Sequence, residues 1–417
     1  MQVREALAIE GGTPVRREPM PRRIVMGEAE RDAVLRIFDR ELEQGGGFDR
    51  YGGTEVDAFE AEFARFVGTE FATATSSGTA SIHSALAALR LEPQSEVISP
   101  PITDPGAVMP IVWQGCLPVF ADVDPETFNL DPASVAERIT ERTRAIIVTH
   151  LIGQPADLDP ILAIANRHGL PVIEDCAQAH GATYHGRIVG GLGRAGAFSL
   201  MSGKHTVAGG QGGMVVTNDP EIYWNAKRFA DRGKPFNSAE SRNLFLGLNY
   251  RMTELEATIG RVQLQKLPAL VRRRQQLVEG LRERIADLQA VRIGKVIDGA
   301  ESSFWFLLLR VDADKLTVDK DAFAEAVRAE GLTVAARYDH IAYDAPWLRD
   351  RQTLGASGWP WSATDRGRAL DYADSCPNAR RAIATHMTVS LHEGWTDREL
   401  DDLAAALRKV ERAYRRV

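Results

Sequence analysis

Cysteine is scarce in this chain, with 3 in 417 residues. Cys116, Cys176 and Cys376 are odd in number and scattered, which excludes a disulfide framework and the paired spacing of a zinc site, so no metal is expected. They read as buried free thiols in a reducing compartment, and a cytoplasmic location is expected. Long apolar runs are missing too. None approaches the roughly 18 residues that a membrane-spanning helix needs, and residues 1–24 carry charges and prolines in place of a signal-peptide core. Neither secretion nor a membrane partner is expected. Nor is there a block of one charge: 50 basic and 57 acidic residues give a net charge of −7, interspersed and without a basic stripe for nucleic acid. Arg272-Arg273-Arg274 reads as a solvated helix face. Internal repeats and low-complexity tracts are absent. What is present is a composition 44% hydrophobic, in a chain long enough for two or three domains and a large core.

Short apolar runs alternate with helical stretches over the first half. Val97-Ile98-Ser99, Val119-Phe120-Ala121, Ala145 to Val148 and Pro171 to Glu174 read as strands, and Glu55 to Val67 as a helix with Val56, Phe59, Phe63 and Val67 on one face. Asp159 to Arg167 reads as a helix with Asp159 as N-cap, Pro160 in the first turn and Gly169 at the stop. This alternation predicts an α/β fold with a mainly parallel sheet covered on both faces. Further on, Leu255 to Leu267 and Leu270 to Leu288 read as two long helices leading to a second, smaller α+β unit. In that unit Phe304 to Leu309 reads as a buried strand, Lys320 to Glu330 as a helix and Leu400 to Val417 as a closing helix. The expected division is an N-terminal arm (1–24), a large domain (25–268) and a small domain (269–417).

Four stretches carry chemistry. In Phe198-Ser199-Leu200-Met201-Ser202-Gly203-Lys204, followed by glycines up to Gly213, a lysine stands between a strand end and a flexible loop that permits close backbone approach to a planar ligand. A nucleotide-type phosphate loop has its glycines before the lysine and a Ser or Thr directly after it, whereas His205 follows Lys204 here. Ser76-Ser77-Gly78-Thr79 opens a helix in which Ile82, Ala85, Leu86 and Leu89 are spaced at i, i+3, i+4 and i+7. The free amides and the positive end of the dipole make that start an anion site, or an ordinary Ser/Thr cap. Asp175 falls at the carboxyl end of a strand, where open α/β sheets bind ligands, and suits a cationic ligand nitrogen or a loop cap. Residues Gly45 to Gly53 hold five glycines in nine positions around Tyr51, the composition of an active-site loop or a linker.

Taken together, Ser77-Gly78-Thr79, His150 to Asp157, Glu174-Asp175-Cys176-Ala177-Gln178-Ala179-His180-Gly181, Phe198 to Lys204, Gln211 to Thr217 and Leu248-Asn249-Tyr250-Arg251-Met252 resemble, in order and spacing, the DegT/DnrJ/EryC1/StrS aminotransferases. The resemblance spans nearly the whole chain. It implies fold type I, with a seven-stranded sheet in the large domain, and pyridoxal 5′-phosphate (PLP) as cofactor. By the same resemblance Lys204 bonds the cofactor and moves the proton, and Asp175 pairs with its ring nitrogen. Gln178 lies beside the ring oxygen, and Ser77, Gly78, Thr79 and Ser199 form the phosphate cup. Asn249 reaches the phosphate of a neighbouring subunit, which implies a homodimer with shared sites. Tyr51, His180, His340 and His392 are candidate substrate contacts, the loop Tyr338-Asp339-His340 being placed near the substrate by family analogy. One departure stands out: Asp104 occupies the position where family members usually stack an aromatic residue on the cofactor. The glycine spacing after Lys204 follows the longer of the family's variants, the one common among enzymes that aminate nucleotide-linked ketosugars, with Gln211 where an acidic residue is usual. Ala373 to Ala379, Leu391-His392 and Tyr51 to Val56 look more like the branch acting on cyclitols and the aminohydroxybenzoate precursor. The expected reaction is transfer of an amino group from glutamate or glutamine to a ketone on a sugar, nucleotide-sugar or cyclitol. The alternatives are a PLP-dependent lyase or dehydratase, of which Lys204 argues against the dehydrating branch alone because dehydrating relatives usually carry histidine there, and a PLP-sensing regulator.

Overall fold

Strands built from runs such as Val97-Ile98 and Ile146-Ile147-Val148 have no polar face to turn to water, so they form the centre of a sheet rather than its surface. The computed structural model, which describes residues 6–45, 47–49, 51–338 and 340–416, shows this sheet to have seven strands: β1 (Phe71–Thr75), β2 (Glu96–Ser99), β3 (Leu117–Phe120), β4 (Thr143–Thr149), β5 (Val172–Asp175), β6 (Ala195–Ser199) and β7 (Gly213–Thr217), in the order β1-β7-β6-β5-β4-β2-β3. β2 to β6 run parallel to one another, and β7 is antiparallel to both β6 and β1. The expected mainly parallel, doubly covered α/β sheet is what forms. One face packs Phe59 and Phe63 of the helix Thr54–Val67 and Ile161 of the helix Leu158–Arg167 against Ile98, Ile146 and Phe198. The other packs Ile82 of the helix Gly78–Ala88, Ile111 of Pro105–Trp113 and Ile222 of Pro220–Phe229 against Val97, Ile147 and Val215.

The second unit is a four-stranded antiparallel sheet, in the order Val291–Ile293, Leu307–Val311, His386–Val389 and Val334–Ala335, with the helices Lys320–Ala329 and Asp397–Tyr414. Leu7 of the arm is buried in this unit's core. A separate cluster, Ile102, Phe120, Tyr338, Tyr343, Trp361 and Tyr372, joins residues 338–383 to the β3 edge of the large sheet. There Ala342 N donates to the Pro101 carbonyl at 2.7 Å and Thr103 N to the His340 carbonyl at 3.2 Å, which brings the loop at Tyr338 to the large domain.

Three sequence expectations are corrected. The two long helices are one, Glu254–Arg284, running through Pro268. Proline forfeits one N–H bond there, but Leu267 and Val271 on either side are buried in the core and keep the helix on course. The helix expected from Asp159 starts at Leu158, and its N-cap, Asp157, accepts a hydrogen bond from the Tyr184 hydroxyl at 2.8 Å. The strand expected from Phe304 begins at Leu307. Phe304 takes φ +48°, a left-handed bend that turns Trp305 out of the sheet. Gly46, Arg50 and Asp339, within two of the motifs above, lie outside the described residues. Among the described residues no helix is long and apolar enough to cross a membrane.

Candidate active site

Parallel strands end together, so the last residues of β4, β5 and β6 line one rim of the sheet. Thr149 pairs with Asp175, and Asp175 with Ala197, two residues before Ser199. Asp175 is buried. Its carboxylate accepts from Ala177 N at 3.0 Å and from the Thr149 hydroxyl at 3.3 Å, both neutral donors. Burial is the largest influence and pushes its pKa up, while the Ala177 N–H and the charge of Lys204 pull the other way. A carboxylate kept dry with only neutral donors is suited to a cationic ligand group.

Lys204 lies on the loop that leaves β6. It is 5% exposed, and burial lowers its pKa to about 8 against the opposing pull of Asp175 and Asp104. Nζ stands 3.8 Å from the centroid of the Trp305 ring, and Trp305 Nε1 donates to the Gly203 carbonyl at 2.8 Å. The arm reaches this loop as well: Arg23 donates to the carbonyls of Lys204 at 2.6 Å and His205 at 2.8 Å. Sequence reasoning missed Trp305 and Arg23. The bend at Phe304 and a contact across 181 residues leave no local signal.

The helix start that the sequence offers as an anion site lies at the same rim. Ser77 is the N-cap of the helix Gly78–Ala88 and accepts from Ala80 N at 3.1 Å, leaving the amides of the first turn, Gly78 and Thr79, to a ligand. Gly78 has no room for a side chain, since a Cβ there would lie 2.5 Å from Ser199 Cβ. Ser199 is thus held directly against the helix start.

Gln178 is bonded at both ends of its amide: its Oε1 accepts from Ile152 N at 2.8 Å and its Nε2 donates to the Tyr338 hydroxyl at 2.9 Å. Tyr338 is buried, with a pKa raised first by that burial. Asp104 is exposed and caps the helix Pro105–Trp113, Oδ1 accepting from Gly106 N at 2.8 Å. Its charge nevertheless acts on Lys204, Asp175 and Tyr338, so it borders the same space. His180 is wholly buried between Phe198 and His205, and burial first, then the Lys204 charge, lowers its pKa to about 3. It is a neutral ring behind the lysine.

These groups form one site that offers an amine of lowered basicity, a dry carboxylate and a helix N-terminus. The family model for the DegT/DnrJ/EryC1/StrS aminotransferases matches residues 38–408. The chain belongs to that family.

This aminotransferase is similar to the L-glutamine:2-deoxy-scyllo-inosose aminotransferase of Streptomyces paromomycinus, 33% identical with 98% of each chain covered. It is also similar to the GDP-perosamine synthase of Caulobacter vibrioides, 32% identical over 91% of this chain and 95% of that one. Among solved structures, an aminotransferase from Psychrobacter cryohalolentis superposes with a TM-score of 0.83 at 28% identity, covering 95% of this chain and 99% of that one. The cofactor is PLP, and the donor set suits it: aldehyde to amine, ring nitrogen to buried carboxylate, phosphate to helix N-terminus.

Tyr51, Asn249, His340 and His392 make their contacts with residues other than Lys204. Tyr51 is half-exposed, with the Lys234 amine 4.7 Å and the Arg251 guanidinium 5.4 Å from its ring centroid. Asn249 is exposed and bridges to Asp231, while the next residue, Tyr250, accepts from Ser76 N at 2.7 Å. His340 is exposed, its ring 5.0 Å from that of Tyr338. His392 is committed to the backbone, donating from Nε2 to the Pro21 carbonyl at 3.0 Å and accepting from Gly394 N at 3.2 Å. His150, Glu174 and Cys176 bring potential ligand atoms within 4.8 Å of one another. The capacity of His150 and Glu174 is already spent, because His150 Nδ1 accepts from Ala156 N, its Nε2 bonds Glu174, and Glu174 also takes the amides of Gly190, Leu192 and Gly193.

Proposed function

We propose that this aminotransferase moves an amino group from glutamate or glutamine to a ketone on a polyhydroxylated ring, a cyclitol or a nucleotide-linked sugar. The observation that carries the reading is Lys204, a buried amine whose pKa of about 8 leaves roughly a quarter of it unprotonated at about pH 7.5, against on the order of 0.1% for an ordinary lysine. When bound, PLP supplies an electron sink for the carbon that exchanges its amino group. The protein's part is to hold and move protons around it. Lys204 Nζ provides the attacking lone pair and then carries the proton. Asp175 keeps the ring nitrogen charged, while Gly78 and Thr79, with Ser77 and Ser199, orient the phosphate. Gln178 ties the Asp175 strand end to Tyr338. Asp104 at the rim meets a hydroxyl or amine of the acceptor, with His340 near it. Tyr51, His180 and His392 act through the loop and the arm.

The names of the two relatives, one acting on an inosose and the other a synthase of GDP-perosamine, support the ring-ketone acceptor. A homodimer in which Asn249 serves the partner's phosphate is supported by apolar side chains turned to solvent, Leu42 at 83% and Leu246 at 90% exposure. Three buried free cysteines support a cytoplasmic location. The test is an acceptor screen of inososes, nucleotide ketosugars and ring-ketone carboxylates, each with glutamate and with glutamine. Borohydride reduction of the PLP-loaded protein accompanies it and is expected to fix the label on Lys204. Release of water or ammonia without transfer would point to a lyase instead. Mixed dimers of Lys204→Ala and Asn249→Ala chains should regain one working site, and a stable active monomer in sedimentation would refute the shared site.

A further inference from the structure

Lys204 has a neighbour that the proposed reaction does not use. Its Nζ stands 3.8 Å from the Trp305 ring centroid, the geometry of a cation over a π face. The backbone on both sides of this contact is fixed by one carboxylate and two arginines. Arg23 donates to the carbonyls of Lys204 and His205 and, through Nε, to Glu393 Oε1 at 2.8 Å. Arg274, 2% exposed, donates to the carbonyls of Phe304 at 2.8 Å and Trp305 at 3.0 Å, and its Nε and Nη2 reach Glu393 Oε2 at 3.0 and 2.8 Å. Glu393 therefore joins a guanidinium that holds the lysine main chain to one that holds the tryptophan main chain. The indole N–H on Gly203 adds a third tie.

We propose that Trp305 is the seat of the Lys204 ε-ammonium during the part of the cycle in which the lysine is not bonded to the cofactor, and that Arg23, Glu393 and Arg274 are positioning residues that keep the seat in register. The proposal rests on the reading of Lys204 as the cofactor-bonding residue. A lysine that first holds a ligand covalently and then moves a proton needs a defined place to wait, because its flexible stem otherwise samples many rotamers. An indole face stabilises the ammonium without offering a base that would take its proton, unlike a contacting carboxylate. The charges acting on Lys204 are Asp175, at the end of β5, and Asp104, at the helix cap. His180 and His205, packed beside the loop, are held neutral first by burial. At about pH 7 a group with a pKa near 8 is mostly ammonium, the form that the ring favours.

Fluorinated tryptophans placed at position 305 weaken the π face stepwise with little change of shape, so the fold is preserved through the series. In full-length cofactor-free protein, the pH dependence of Lys204 acetylation by acetic anhydride, read by peptide mapping, reports the ammonium equilibrium. It should shift toward the amine with each fluorine, by about ten-fold over the series, the size of a desolvated cation–π contact. An equilibrium independent of fluorine content overturns the seat. In Glu393→Gln the slope against fluorine content should largely disappear, and an unchanged slope overturns the positioning role. Borohydride labelling separates this from the underlying reading. Label on Lys204 together with a flat series removes the seat alone, whereas label on another lysine removes the reading and the seat with it.

Discussion

Lys204→Met should abolish turnover and yet make the cofactor-free protein more stable near neutral pH. Folding carries the lysine from water, where its pKa is the ordinary 10.5, into a site where burial holds it at about 8. At about 1.36 kcal/mol per unit this is roughly 3 kcal/mol against folding with the amine charged. Loss of the Trp305 contact returns about 1 kcal/mol. Methionine fills the space of the lysine stem, so the net gain at pH 7 is about 2 kcal/mol. Because the folded-state pKa lies below the unfolded one, unfolding takes up a proton between about pH 8 and 10.5. Wild-type stability should accordingly rise with pH across that window, and the advantage of the methionine variant should close by about pH 11. Urea unfolding of both proteins, stripped of PLP and held at one protomer concentration, measures this at pH 7 and at pH 10.5. A difference below about 0.5 kcal/mol at pH 7, or the same difference at both pH values, would refute the claim that the site holds a charged amine at a cost.

Asp175→Asn should lose activity by several orders of magnitude, and it too should stabilise the cofactor-free protein. The folded-state pKa of Asp175 is raised, so its penalty is present at pH 8 and fades as the pH falls toward 4; urea midpoints that differ equally at both ends would contradict this. Gly78→Ala drives a Cβ to 2.5 Å from Ser199 Cβ, and an overpacking cost of about 1–3 kcal/mol predicts PLP binding weaker by roughly ten- to a hundred-fold. An unchanged Kd in an absorbance titration would remove the cup from this position. Asp104→Phe should keep PLP binding and lower kcat/KM for the natural acceptor by about ten- to a hundred-fold, with about 1 kcal/mol of stability lost with the cap. Asp104→Asn, which retains a capping oxygen, should show the kinetic loss alone, and full activity in both variants would make Asp104 a helix cap only.

Periodicity and capping chemistry are properties of neighbouring residues, so they were legible in the sequence. Apolar runs without a polar face specified buried parallel strands. Ser77 before Gly78 marked a helix start, and the run ending at Asp175 put a carboxylate at a strand's carboxyl end. The order and spacing of six motifs specified the family, and four of them, at Ser77, His150, Glu174 and Phe198, fall at the carboxyl ends of strands of one sheet. The continuity of Glu254–Arg284 past Pro268 was decided by tertiary contact, since local propensity favours a break and only burial of Leu267 and Val271 overrides it. The shift of the strand from Phe304 to Leu307 has the same kind of origin. An apolar run does not reveal where its backbone bends, and the bend is held by partners distant in sequence: Gly203 accepts from the indole N–H, and Arg274 donates to the carbonyls of Phe304 and Trp305. Arg23 and Glu393 carry no sequence signal of a shared role, and Arg274, which reads with Arg272 and Arg273 as a solvated helix face, is instead 2% exposed. They become one network because the arm crosses the loop after β6, and because burying a guanidinium such as Arg274 requires that its donors find carbonyls and a carboxylate in the folded chain.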